Sequence, residues 1–183
     1  MRKYLTMVSL VVASVVALGG FSVAAKDRPL TLRAKLAGAQ ETPLVSTQAH
    51  GDFEATFNED GSISYKLSYE GLEGGSTLFA HIHLGQRNVA GSVMTFLCGG
   101  GTKPTACPNP SGTVEGVIGP TDIQAIVSQQ IPAGATGFPE FVHALLNGTA
   151  YANVHTTASP AGEIRGQIRV DRDNGKGNDN RDR

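Results

Sequence analysis

The chain predicts an all-β fold: a Greek-key-like β-sandwich of about eight strands, with one or two short helices in a late connection. Three observations predict it. Apolar and polar residues alternate with a period of two in short runs through the middle of the chain, the pattern of half-buried strands. Clusters of Gly, Pro, Asn and Asp separate those runs. Glycine reaches 23 of 183 residues while charged residues make up only 17%, a composition suited to many tight turns.

The runs can be placed in order. Leu30 to Leu36 (LTLRAKL) opens the series and Asp52 to Phe57 (DFEATF) follows. Asn58-Glu59-Asp60-Gly61 reads as a hairpin turn into Ser62 to Tyr69 (SISYKLSY). Leu78 to His83 (LFAHIH), Ser92 to Phe96 (SVMTF) and Thr113 to Ile118 (TVEGVI) continue it. Ala150 to His155 (AYANVH) and Glu163 to Val170 (EIRGQIRV) close it, joined by a turn containing Pro160-Ala161-Gly162. Two helices are expected between the sixth and seventh strands. One opens at Pro120-Thr121-Asp122 and runs through Ile126 and Val127, with Thr121 or Asp122 as its cap. The other starts near Pro139, carries Phe141, Val142, Leu145 and Leu146, and ends before Gly148.

The two ends read differently from this middle. Arg2 and Lys3 precede an apolar stretch, Leu5 to Leu18, and Ser22-Val23-Ala24-Ala25 supplies small residues for cleavage, so residues 1–25 are expected to be a signal peptide. The stretch is short of the roughly 20 residues a membrane span needs, which predicts a secreted or periplasmic protein without a permanent membrane anchor. The β domain is expected over residues 28–170. Residues 171–183 (DRDNGKGNDNRDR) hold no apolar side chain and are expected to form a disordered charged tail. Formal net charge is -1 and no basic run occurs, so nucleic acid is not an expected partner. Cys98 and Cys107 flank a Gly- and Pro-containing segment too wide for a CxxC site, and export permits them to form a structural disulfide.

Candidate chemistry gathers on the later strands. His81 and His83 flank Ile82, so strand alternation puts both imidazoles on one face, about 6.6 Å apart at Cα. In AYANVH the apolar face is Ala150, Ala152 and Val154, leaving Tyr151, Asn153 and His155 together. In EIRGQIRV, Ile164, Ile168 and Val170 point inward, leaving Glu163, Arg165, Gln167 and Arg169 outward. If these strands are neighbours, one polar face collects His81, His83 and His155 with Tyr151, Asn153, Glu163 and Arg165 in support. The expected use is a hydrogen-bonded network that needs no cofactor. The alternative is a three-histidine site for a single Cu or Zn ion, with weak redox activity. His50 and His143 lack visible partners and are expected in solvent. No GxSxG motif or paired carboxylates can be located, so the residues favour a non-enzymatic protein.

The segments AHIHLG (Ala80 to Gly85) and NGTAYANVHTTASPAGEIRGQI (Asn147 to Ile168) closely resemble the CHRD domain, a module named for its repeats in chordin. AKLAGAQETPLVSTQAHGDFEATF (Ala34 to Phe57) is similar to that family's opening, with Glu41-Thr42-Pro43 at its acidic–Pro step. The resemblance spans about residues 30–170. It implies a β-rich extracytoplasmic binding or scaffolding module, with an extracellular protein or glycan as partner and no attached enzymatic activity. The HxH strand is also similar to the copper site of copper–zinc superoxide dismutases, whose complete two-metal site draws on more histidines than the five here.

Overall fold

The computed structural model describes residues 29–171, so the expected signal peptide and all of the expected tail beyond Asp171 lie outside the described residues. The strands are β1 (Thr31–Ala37), β2 (His50–Phe57), β3 (Ile63–Glu70), β4 (Thr77–Leu84), β5 (Ser92–Cys98), β6 (Gly112–Ile118), β7 (Ala150–Thr156), β8 (Ile164–Gln167) and β9 (Arg169–Val170). All belong to one antiparallel sheet in the order β5-β4-β7-β8-β1-β2-β3-β6, with β9 also pairing β1. The two edge strands, β5 and β6, touch each other, so the sheet curls almost into a barrel. The all-β fold is as expected, with the two layers built from one curled sheet. The strand count is nine because the last expected strand is interrupted at Ile168; β8 and β9 keep the same register against β1 (Ala37 opposite Arg165, Leu32 opposite Val170).

Alternation decides the interior of the first half. Leu32, Ala34 and Leu36 of β1, Phe53 and Ala55 of β2, and Ile63, Tyr65, Leu67 and Tyr69 of β3 are all buried, while their neighbours in sequence are exposed or half-buried. Such inward rows form the continuous core that supplies most of the driving force for folding. The β2–β3 hairpin turns where expected: Asn58 and Ser62 pair across it and Gly61 takes φ +81°, a conformation that favours glycine.

The connection between β6 and β7 corrects one expectation. Pro120–Asp122 forms a single 3-10 turn, Val127–Gln129 a second and Gly134–Thr136 a third, so no helix runs from Pro120 to Val127. Asp122 is no outward cap. Its carboxylate is buried, accepts the Gly119 N–H at 2.8 Å and pairs with Lys103 Nζ at 2.8 Å. The second helix, α1 (Phe138–Leu146), appears as expected, with Pro139 in its first turn and Gly148 at φ +68° after its end. Phe141, Ala144 and Leu145 bury its inner face, and His143 is exposed.

Cys98 and Cys107 are joined, with Cα atoms 5.3 Å apart. The Lys103–Asp122 pair fastens the loop they close to the Pro120–Asp122 turn. Asp171, the first residue of the expected tail, is held at the domain edge by its backbone N–H to Thr31 O at 2.8 Å and by Arg33 Nε at 2.6 Å. No helix among the described residues is long and apolar enough to cross a membrane.

Candidate metal centre

The sheet order makes β4, β7 and β8 neighbours, and register does the rest. Across β4 and β7, Phe79 faces His155, His81 faces Asn153 and His83 faces Tyr151. Across β7 and β8, Asn153 faces Arg165 and Tyr151 faces Gln167. The expected face is therefore assembled, but it does not point to solvent. Every residue of β7 and β8 is buried, including Arg165 at 2% exposure and Asn153 at 1%. The apolar rows face the core, and the polar rows lie beneath coil. The outward placement of Arg165, Gln167 and Glu163 is corrected accordingly; of that row only Arg169 is exposed.

The covering coil comes from residues that alternation leaves unassigned. His83 Nδ1 donates to Gly91 O at 3.0 Å and His155 Nδ1 to Pro160 O at 3.0 Å. Glu41, just beyond the 3-10 turn Gly38–Gln40, is buried against the same face, and Arg165 donates to Gln86 O at 3.0 Å. Gly162 adopts φ +126°, and a Cβ there would meet both the Glu41 carboxylate and the Asn153 amide. Only glycine admits that approach.

His81, His83 and His155 each bring a ring nitrogen within 4.8 Å of the others. Carbonyl bonds at Nδ1 fix His83 and His155 in the tautomer that leaves Nε2 unprotonated, the arrangement that outer partners impose on metal-ligating histidines. His81 Nδ1 and His155 Nε2 are 3.1 Å apart. His83 Nε2 and His81 Nε2 are buried and have no hydrogen-bond partner among the described residues.

The surroundings keep the imidazoles neutral. Burial pushes His81 down to about 3, helped by the neighbouring imidazoles His155 and His83. Burial likewise holds His83 at about 4 against the raising effect of its Gly91 bond, and lowers His155. Phe79 lies 4.8 Å from His81 and 4.9 Å from His155, ring centre to ring centre, and Phe96 meets His81 edge-on at 4.3 Å. On the other flank His83 stacks on Tyr151 at 4.8 Å, and the Arg165 guanidinium lies 3.4 Å from the centre of the Tyr151 ring. That stack positions His83 from behind, and the Tyr151 hydroxyl accepts the Gly91 N–H at 3.0 Å. One loop residue, Gly91, thus supports both rings.

Glu163 takes no part in this cluster. Its carboxylate accepts from Thr47 Oγ1, the Glu73 and Gly74 N–H groups and Thr156 Oγ1, at 2.7–2.9 Å. His50 is exposed and pairs with Glu70 at 3.9 Å. Glu41 is the residue that alternation misses. Burial raises it to about 7, against lowering by Arg165 and by hydrogen bonds from Thr42 and Asn153, and its Oε1 has no hydrogen-bond partner among the described residues. Its only sequence signal is its place in the Glu41-Thr42-Pro43 step.

Neither the curated proteins nor the solved structures contain a match to the chain. The family model of the CHRD domain matches residues 32–168, from the second residue of β1 through β8, and takes in the three histidines and the coil that covers them. Over that span, most of its length, the chain belongs to the CHRD domain family.

Proposed function

We propose that this CHRD domain is an extracytoplasmic binding module whose ligand is a single Cu or Zn ion, held by His81, His83 and His155. The observation that carries the reading is the pair of buried imidazole nitrogens, His81 Nε2 and His83 Nε2, that have no hydrogen-bond partner among the described residues. A purely structural network closes on itself, because each buried polar atom left open costs about 1–3 kcal/mol. Here the network closes at Gly91 and Pro160 and between His81 Nδ1 and His155 Nε2, yet leaves His81 Nε2 and His83 Nε2 open. Neutral imidazoles suit zinc and copper, and the low proton affinity of these rings leaves them ready to ligate at neutral pH. The covered, aromatic-walled site suits holding an ion more than turning over a substrate. The disulfide and the expected signal peptide support a site of action outside the cytoplasm.

The test is elemental analysis of the purified protein, followed by zinc and copper titration of wild type and His81→Ala. About one ion per chain, lost in the variant, is the expected result. A wild-type protein that contains no ion and takes none up refutes the reading, and an extracellular protein or glycan would then be sought as the ligand.

A further inference from the structure

Zinc and copper(II) carry two charges and copper(I) carries one, a difference to which a buried site is sensitive. The ring nitrogens of His81, His83 and His155 lie within 4.8 Å of one another, and no carboxylate or thiolate of the described residues joins that group. A ligating histidine is neutral, so the cluster brings no negative charge to an ion. All three side chains are buried, and aromatic rings form the walls: Phe79 and Phe96 beside His81, Tyr151 behind His83. The cost of taking an ion out of water grows with the square of its charge. A dication therefore gives up about four times the hydration of a monocation of equal size.

The buried charges around the cluster do not repay that difference. Arg165 is 2% exposed and permanently charged, and its guanidinium lies over Tyr151 on the flank of His83. It donates to Gln86 O at 3.0 Å and to Thr42 Oγ1 at 3.4 Å, both neutral, and it makes no ion pair among the described residues. Glu41, buried against the same face, at most offsets this cation. Glu163 is buried as well, but its charge is met by four donors from the loop before β4 and from the end of β7. Counted together, these groups leave one negative charge at most, which a monocation matches and a dication exceeds.

The number of open ligand atoms points the same way. Zinc sites are almost always four-coordinate, whereas copper(I) needs only roughly two or three ligands. His81 Nε2 and His83 Nε2 have no hydrogen-bond partner among the described residues, and His155 Nε2 stands 3.1 Å from His81 Nδ1. The cluster thus offers two open nitrogens and one shared with a neighbour. We infer that the ion is copper(I), chosen over zinc and copper(II) by the low charge of the buried face, and that Arg165 is the residue that sets this preference. The inference rests on the metal-binding reading above and narrows it to one ion.

The experiment measures the affinity of the purified protein for copper(I) under nitrogen, and for zinc and copper(II) in air, each by competition with a chromophoric chelator. Wild type should bind one copper(I) more tightly than copper(II), and at least about a hundredfold more tightly than zinc. Arg165→Met removes the buried cation, so the ratio of copper(I) to zinc affinity should fall by at least about tenfold; Glu41→Gln removes a buried anion, so the same ratio should rise by at least about tenfold. A ratio taken within one protein cancels any general loosening of the site, and apo-protein melting checks that each variant is folded. If Arg165→Met does not fold, Glu41→Gln decides alone. Zinc or copper(II) bound more tightly than copper(I) by wild type, or a ratio that does not rise in Glu41→Gln, overturns the inference while the three-histidine site stands. No uptake of any of the three ions overturns the metal reading itself, and the inference with it.

Discussion

Replacing Glu163 by Gln should unfold the domain more easily without emptying the histidine site. The Glu163 carboxylate is 1% exposed and accepts four hydrogen bonds: Thr47 Oγ1 and the Glu73 N–H on one oxygen, the Gly74 N–H and Thr156 Oγ1 on the other. It ties the loop before β4 to the end of β7. Glutamine keeps one oxygen and puts an NH2 group where the other stood. The hydroxyls can turn away, but one backbone N–H is left facing another donor. An orphaned buried donor costs about 1–3 kcal/mol, and charged acceptors are worth about 1 kcal/mol more per bond than neutral ones. The expected loss is about 3 kcal/mol at pH 7, a drop in Tm of about 10 °C for a domain of this size. The pH dependence follows from the same bonds. Burial alone would raise this carboxyl, but the hydrogen bonds from Glu73, Thr156, Thr47 and Gly74 outweigh it and hold the group below its ordinary value. The stabilisation is therefore complete above the unfolded value of about 4.3 and is lost as pH falls through the lower folded value. Urea denaturation at pH 7 and again near pH 3 tests this. A variant within about 0.5 kcal/mol of wild type at pH 7 would refute the bond count, and a gap that does not narrow in acid would refute the linkage.

Three further outcomes are expected. Replacing both Cys98 and Cys107 by Ser opens the loop between them, and denaturant titration should read a loss of about 2.5–3 kcal/mol on the chain-entropy estimate. The three neutral histidines act in the opposite pH direction to an ordinary salt-bridged histidine: their folded values lie below the unfolded value of about 6.5, so the unfolded chain takes up protons first. Apo stability should accordingly be full above pH 6.5 and fall from there down towards about 4, while zinc uptake should persist below the pH at which a free imidazole protonates; calorimetry and zinc titration across that range check both. Arg165→Lys removes the planar group stacked on Tyr151 and its bond to Gln86 O, which should cost about 2 kcal/mol in thermal denaturation and leave the disulfide intact on a thiol assay.

The fold was legible because its first half obeys one rule. In β1, β2 and β3 one face meets the core and the other meets water, so alternation marks both strand and inward row. The rule weakens at β8 and β9, where a short break at Ile168 leaves no trace in EIRGQIRV. It also fails between β6 and β7. Ile123, Ile126 and Val127 have helical spacing, yet Ile126 pairs with Ile131 as an isolated bridge and Val127 is exposed. There the buried side chains, Ile123, Ile126 and Ile131, stand between the 3-10 turns rather than along them, so no helical face is needed.

The site was half legible, and the missing half has a single physical origin. Period two states which side chains share a face; it carries no information about what lies over that face. His81, His83, Asn153 and His155 fall together by alternation, whereas Glu41, Gly91, Pro160 and Gly162 reach them through coil, most of them by backbone atoms that no side-chain pattern can encode. This coil changes the chemistry of the face. Left in water, the same histidines would be solvated and would titrate near neutrality. Roofed, each ring is held neutral and each nitrogen must be matched to a proton or a partner. Two carbonyls take the protons of His83 and His155, and His155 Nε2 stands 3.1 Å from His81 Nδ1. What is left is a surplus of two lone pairs, on His81 Nε2 and His83 Nε2, with no hydrogen-bond partner among the described residues. A sequence names groups able to donate or accept, but a surplus of one kind exists only once their directions are known, and in a dry pocket that surplus is the property to which a cation responds.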